Sequence, residues 1–393
     1  MKENILIGAY HLQKNARDEE HIKDIKDCGI DFIIGMENDT AALDLFEKYG
    51  LGAIVSGAVP GWWGGFGENC GKLRDTNPLS KYEEYAARFV DHPAITGLCI
   101  GDEPSVLDLP YFGEVVEKMK ELFPDKLPYL NLYPGYGVEF DTRRDFTAAE
   151  KQIGVSDFSE YFAEYCKSVP LPYLSFDHYV YSSCRECFES DLSSASWACR
   201  EYDRELWVVL QVNSKEPNVC LSENMLRYQA FTAMAYGADR ITWACCSGGW
   251  WHNNLLDPEG RWTEQYEKLK RVNREIKRIG ERYVNYRNKA TTVSFFGVPV
   301  NCTAFKSVTT GDHAVIGDMV SRTDPNAYAM LICPAEDIYD NSPKVHEVSF
   351  RTDGLENIAV IGGEGIIPYR KHTDGTYTFP LESSHGALVV GNR

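Results

Sequence analysis

Residues 95–105, ITGLCIGDEPS, decide how the rest of the chain is interpreted. An apolar run from Ile95 to Ile100 stops at Gly101, and two acids, Asp102 and Glu103, follow before Pro104. A short apolar run bounded by turn residues is the pattern of a buried parallel strand. Gly101 lets the backbone turn and Pro104 cannot extend the ladder. Both carboxylates therefore sit at the carboxyl end of a strand, where α/β folds place ligands and chemistry. The plainer alternative is that they only cap the next helix.

The same punctuation recurs on both sides. Strand patterns are predicted at residues 5–9, 31–35, 52–56, 95–100, 129–133, 173–177, 206–212 and 240–245. Helical patterns fall between and after them, at 19–28, 41–49, 82–90, 111–122, 158–167, 192–202, 224–236 and 264–279. Eight strand–helix units predict an α/β chain folded as a (β/α)8 TIM barrel over residues 1–283. An open doubly wound sheet fits less well, because YHLQKN after the first strand contains no Gly-rich phosphate loop. After Tyr283 helical periodicity ends. Short strand patterns at 292–296, 327–333, 346–350, 358–361 and 388–390, with turns such as TDG, predict an all-β sandwich domain over 284–393.

Composition narrows the partners. The chain has 393 residues, 44% hydrophobic, and a net charge of −18. Such acidity argues against nucleic acid and anionic membrane surfaces, and no stretch approaches the roughly 20 apolar residues of a membrane span. MKENILIGAY has no apolar signal region, so a cytoplasmic location is expected, with a removed signal as the alternative. The 12 cysteines lean toward a reducing compartment. Cys184 and Cys187 form a CxxC, but no second CxxC or His pair completes a zinc set. No cofactor or metal is expected, and oligomeric state is not legible.

Listing the strand ends gives the candidate site. They deliver Tyr10 and His11, then Glu37, then a loop with Trp62, Trp63 and Phe66, then Asp102 and Glu103. Asn131 and Tyr133 follow, then Asp177, His178 and Tyr179, then Gln211, and finally Trp243 with Trp250 and Trp251. Acids, amides and Trp with almost no Lys or Arg suit a sugar ring, which needs apolar platforms for C–H faces and polar groups for hydroxyls. Glycosidic cleavage normally needs two carboxyl groups. Glu103 is the expected general acid, because burial would keep it protonated.

GDEP after strand four, Asn131 after strand five, Tyr179 after strand six and a terminal β-domain together resemble the retaining (β/α)8 glycoside hydrolases with catalytic acids on strands four and seven. The chain resembles more closely the DEP-motif glycoside hydrolases of gut bacteria. The likeness covers roughly residues 4–280 and includes LLDPEGRWTEQY before the last helix. It implies an O-glycosyl hydrolase with Glu103 as acid/base and a carbohydrate substrate. It also implies a Glu nucleophile after strand seven, where this chain has Gln211. Asp177 is then the first candidate for the second carboxylate and Glu37 the next. The remaining residues, Tyr10, His11, Trp62, Trp63, Asp102, Asn131, Tyr133, His178, Tyr179, Gln211, Trp243, Trp250 and Trp251, are expected to bind substrate. Two other classes stay open: a non-catalytic carbohydrate-binding barrel that lost its nucleophile, and a metal-dependent isomerase or hydrolase.

Overall fold

The structure, a computed structural model, describes residues 3–65, 68–135, 153–155, 157–311, 313–339, 341–342 and 344–393. Phe66 lies outside the described residues.

Eight strands form one sheet: β1 (Leu6–Tyr10), β2 (Phe32–Glu37), β3 (Gly52–Ser56), β4 (Ile95–Asp102), β5 (Leu127–Asn131), β6 (Tyr173–Asp177), β7 (Glu205–Gln211) and β8 (Ala238–Ala244). Their order is β5-β4-β3-β2-β1-β8-β7-β6. Neighbours pair in parallel wherever a register is defined. The two ends of the row meet just past β5, where Leu132 bridges Phe176 in parallel and its N–H donates to Ser175 O at 2.8 Å. The sheet thus closes into the expected TIM barrel.

Period-two alternation decides what each strand contributes. On β5 and β6, Tyr129, Asn131, Tyr173, Ser175 and Asp177 share the interior face. Inside, the Tyr173 and Trp207 rings stack 3.8 Å apart, and Tyr129 lies 6.4 Å from Trp207. The alternate residue Phe176 instead meets Phe162 on the helix layer.

That layer begins with α1 (Glu19–Asp27), capped by Asp18, and α2 (Thr40–Tyr49), capped by Asp39. It continues with α3 (Leu73–Thr76), α4 (Leu79–Ala86), α5 (Leu109–Leu122), α6 (Phe158–Ser168) and α7 (Arg185–Glu201). Cys184 and Cys187 form a disulfide across the first turn of α7, which begins seven residues before the expected start at 192. The helices α8 (Glu223–Ala235) and α9 (Glu264–Tyr283) complete the set among the described residues.

By its contacts the chain divides into two units. One comprises Ile7–Pro217 and Thr242–Thr263; the other holds Asn218–Ile241, Glu264–Arg393 and the N-terminal residues to Leu6. In the second unit, the strands after Tyr283 form a four-stranded and a six-stranded antiparallel sheet. Phe305, Val348, Phe350 and Phe379 of one sheet share a core with Ile316, Met330, Ile332 and Val389 of the other, as expected of a sandwich.

Gly113 shows how closely the layer packs. A Cβ there would lie 2.3 Å from the Ser168 carbonyl oxygen. Alanine favours a helix over glycine by about 1 kcal/mol, but overpacking costs about 1–3 kcal/mol. Gly113→Ala should therefore lower the urea midpoint of unfolding. A raised midpoint would show that α5 and α6 do not meet at this residue.

Candidate active site

The tip of β4 is built by its neighbours. The chain after β3 runs beside it: Asp102 N–H donates to Trp62 O at 2.8 Å and Gly64 N–H donates to Asp102 O at 3.0 Å. Glu103 N–H donates to Asn131 O at 2.9 Å. Position 64 must be glycine, because a Cβ there would lie 1.7 Å from the Glu103 carbonyl oxygen. Held from both sides, Glu103 takes a left-handed backbone with φ of 46°. Such a conformation in a non-glycine residue costs on the order of 1 kcal/mol or more and concentrates at functional sites. Among the described residues of the barrel unit, four of the five non-glycine residues with positive φ are His11, Glu103, Trp251 and Asn253, all in segments following strand ends; Asp203 is the fifth.

Three carboxyl groups meet at this corner. Asn131 Nδ2 donates to Asp177 Oδ1 at 2.8 Å, and the same amide favours the charged form of the neighbouring Asp102. Its orientation is fixed from behind, where Ser175 Oγ donates to Asn131 Oδ1 at 2.9 Å. Ser175 Oγ in turn contacts Tyr129 OH at 3.1 Å, and Tyr129 OH contacts Tyr10 OH at 2.7 Å. With the Ser175 proton committed to Asn131, the chain can point only one way: Tyr10 to Tyr129 to Ser175 to Asn131 to the acids.

Burial raises all three acids. Asp102 rises to about 6, with the Asn131 hydrogen bond opposing. It keeps solvent contact along its open side, and that water counters part of the rise. Asp177 is 4% exposed. Burial and then repulsion from Asp102 push it up to about 7, while hydrogen bonds from Asn131 and Tyr179 pull it down. Glu103 is held well above the usual carboxyl range by burial, then by the charges of Asp177 and Asp102, although Trp63 Nε1 donates to its Oε2 at 3.0 Å. Burial and the charges of both neighbours therefore all favour a proton on Glu103.

A pocket of about 200 Å³ opens beside Asp102, with Tyr10, His11, Trp62, Tyr129 and Trp250 in its walls. Burial lowers His11, so its ring is neutral near pH 7.

Several expected site residues do other work. Glu37 is corrected from its expected catalytic role. It is exposed and paired with Arg17 and Lys14, and the Arg17 hydrogen bond holds its carboxyl below the usual range. His178 is fully buried, with Nδ1 at 2.6 Å from Asp191 Oδ2 and Nε2 at 2.7 Å from Ser183 Oγ. Both nitrogens are occupied, so it braces α7 instead of meeting a ligand. Gln211 accepts from Tyr181 N–H at 3.1 Å and donates to Asn213 O at 2.9 Å. An acid there would lose that donor, which is a physical reason for an amide. Trp243 is wholly buried and offers no stacking face. Tyr179 and Trp251 pack edge to face at 5.1 Å, and Trp63 is 43% exposed. Tyr133 is half-buried past β5 and donates its N–H to Tyr161 OH at 3.4 Å. Tyr129 and Ser175, absent from the expected set, were detectable as residues two before Asn131 and Asp177 on the same strand face.

No protein-family model matches the chain. No curated protein matches it. Among solved structures, a glucosidase from Croceicoccus marinus aligns over 100% of this chain and 96% of its own, with TM-score 0.47 and 11% identity. The catalytic module of a family 98 glycoside hydrolase from Streptococcus pneumoniae aligns over 99% and 98%, at 0.43 and 10%. Xylanase 10B from Thermotoga maritima aligns over 69% and 95%, at 0.44 and 12%. Likeness at this level carries no argument about this chain.

The raised acids have a stability consequence. A carboxyl whose folded pKa is raised stabilises the fold below its unfolded pKa, near 4, and that contribution is lost as pH rises through the folded value. Asp177→Asn removes the cost of ionising this carboxyl, and its amide oxygen can still accept from Asn131. It should raise the melting temperature more at pH 8 than at pH 5. An equal or smaller gain at pH 8 would mean that Asp177 is not destabilised by its surroundings.

Proposed function

We propose that the chain is a glycoside hydrolase that cleaves O-glycosidic bonds by carboxyl acid/base catalysis, with Glu103 as the proton donor. One observation carries this reading: three carboxyl groups converge at a strand tip beside a pocket, and burial and then the charges of Asp177 and Asp102 hold Glu103 above the usual carboxyl range. That is the division of labour glycosidic cleavage needs, one acid neutral and one ionised.

In the reaction, Glu103 gives its proton to the glycosidic oxygen as the C1–O bond breaks, and the leaving group departs as an alcohol. An ionised carboxylate faces the positive charge that develops on the sugar ring. Water adds at C1, its released proton returns to a carboxyl group, and one water is consumed per bond cleaved. Asp102 is the first assignment for the ionised partner, because it is raised less than Asp177, stands in the pocket wall and keeps solvent contact. A second reading, Asp177, is favoured by the strength with which its charge acts on Glu103.

Leaving-group chemistry tests these roles. Proton donation contributes about 10²–10⁴-fold where the departing oxygen is poor. Glu103→Gln should lose that factor on alkyl or sugar glycosides and much less on a dinitrophenyl glycoside, whose phenolate departs unprotonated. Loss of the ionised partner should depress both substrates alike, so Asp177→Asn and Asp102→Asn separate the two assignments. Full activity of Glu103→Gln on an alkyl glycoside would end the proposal.

A further inference from the structure

The pocket beside Asp102 carries more information than the acids alone. Its volume of about 200 Å³ lies below the roughly 300–1,000 Å³ of sites that enclose drug-sized ligands. It has room for one small ring and not for a chain of them. Among the described residues no Lys or Arg lines it, His11 is neutral, and its one acid is Asp102. An anionic sugar would meet a carboxylate with no cation to offset it. Trp62, in its wall, keeps a buried indole N–H with no hydrogen-bond partner among the described residues. Trp250 and Tyr10 meet edge to face at 6.1 Å and give the pocket an aromatic wall.

We infer that this pocket holds a single uncharged terminal sugar unit, and that the enzyme acts from chain ends. The binding statement stands on the pocket; the cleavage statement rests on the glycoside hydrolase reading above. Uronic acids, sulfated sugars and units in the interior of a chain are excluded by charge and by size.

Gly61 gives a clean way to fill the pocket. It lies in the wall, its φ is not in the left-handed region, and a Cβ there would meet nothing within 4 Å. Gly61→Leu should therefore occupy ligand space without disturbing the fold, which circular dichroism and melting temperature would check. Titration calorimetry with a panel of neutral monosaccharides should show binding of at least one, weakened at least tenfold by Gly61→Leu and several-fold by Trp62→Phe. Glucuronate and a sulfated sugar should not bind. On nitrophenyl glycosides and dye-labelled polysaccharides, the first product should be a free monosaccharide.

The outcomes are distinguishable. Binding of a neutral monosaccharide that Gly61→Leu abolishes, with no glycoside turned over, keeps the pocket assignment and sinks the hydrolase reading. Oligosaccharides as first products, or cleavage of a glucuronide, overturns this inference and leaves the hydrolase reading standing. No binding of any neutral monosaccharide, or unchanged binding by Gly61→Leu, also overturns it.

Discussion

Asn131 donates to Asp177 and favours the charged form of Asp102 beside it, and the rest of the site follows from that constraint. Two acids so close cannot both ionise freely, even with Asp102 open to solvent on one side. A third, Glu103, is pushed up by burial and then by both charges. The hydrogen-bond chain behind Asn131 keeps its nitrogen toward the acids, because Ser175 occupies its oxygen. Rotating that amide would turn its carbonyl oxygen onto Asp177. The barrel supplies what the arrangement needs: adjacent parallel strands ending at one level, with alternate residues directed inward.

Holding Glu103 there has a conformational cost. Its left-handed backbone is unfavourable alone and is kept by hydrogen bonds from both neighbouring segments and by a glycine at position 64 that admits its carbonyl. Positive φ angles at His11, Trp251 and Asn253 accompany it. Strain and like-charge crowding both lower stability at neutral pH, and both occur where chemistry is proposed. Elsewhere the same residue types rest in ordinary roles. Glu37 forms ion pairs at the surface, and His178 and Gln211 are bonded on both sides.

The barrel was legible because its strands are short apolar runs separated by helical periodicity, and GDEP marks a strand end without ambiguity. The strand His313–Ser321 was not, since it is buried along most of its length and shows no alternation. At the site, sequence could place Asp102, Glu103, Asn131 and Asp177 at strand ends, but strand position does not reveal a partner. Glu37 ends a strand as Asp177 does. What separates them is Arg17, twenty residues away, which meets one and not the other. Trp243 and His178 fail for a related reason: a strand end can point into the core as readily as into the mouth. Period-two alternation puts Tyr129 and Ser175 on the same face as Asn131 and Asp177, but neither side chain carries chemistry that marks it as part of a site.

Burial and then the charges of two other carboxyls hold Glu103 well above the usual carboxyl range. Isotope-edited infrared or carbon NMR titration of side-chain carboxyls, comparing the wild type with Glu103→Gln, reads that proton directly. The difference signal should show Glu103 still protonated at pH 7, and the Asp177→Asn variant should move its midpoint downward. A Glu103 midpoint near 4, unmoved by Asp177→Asn, would contradict the account.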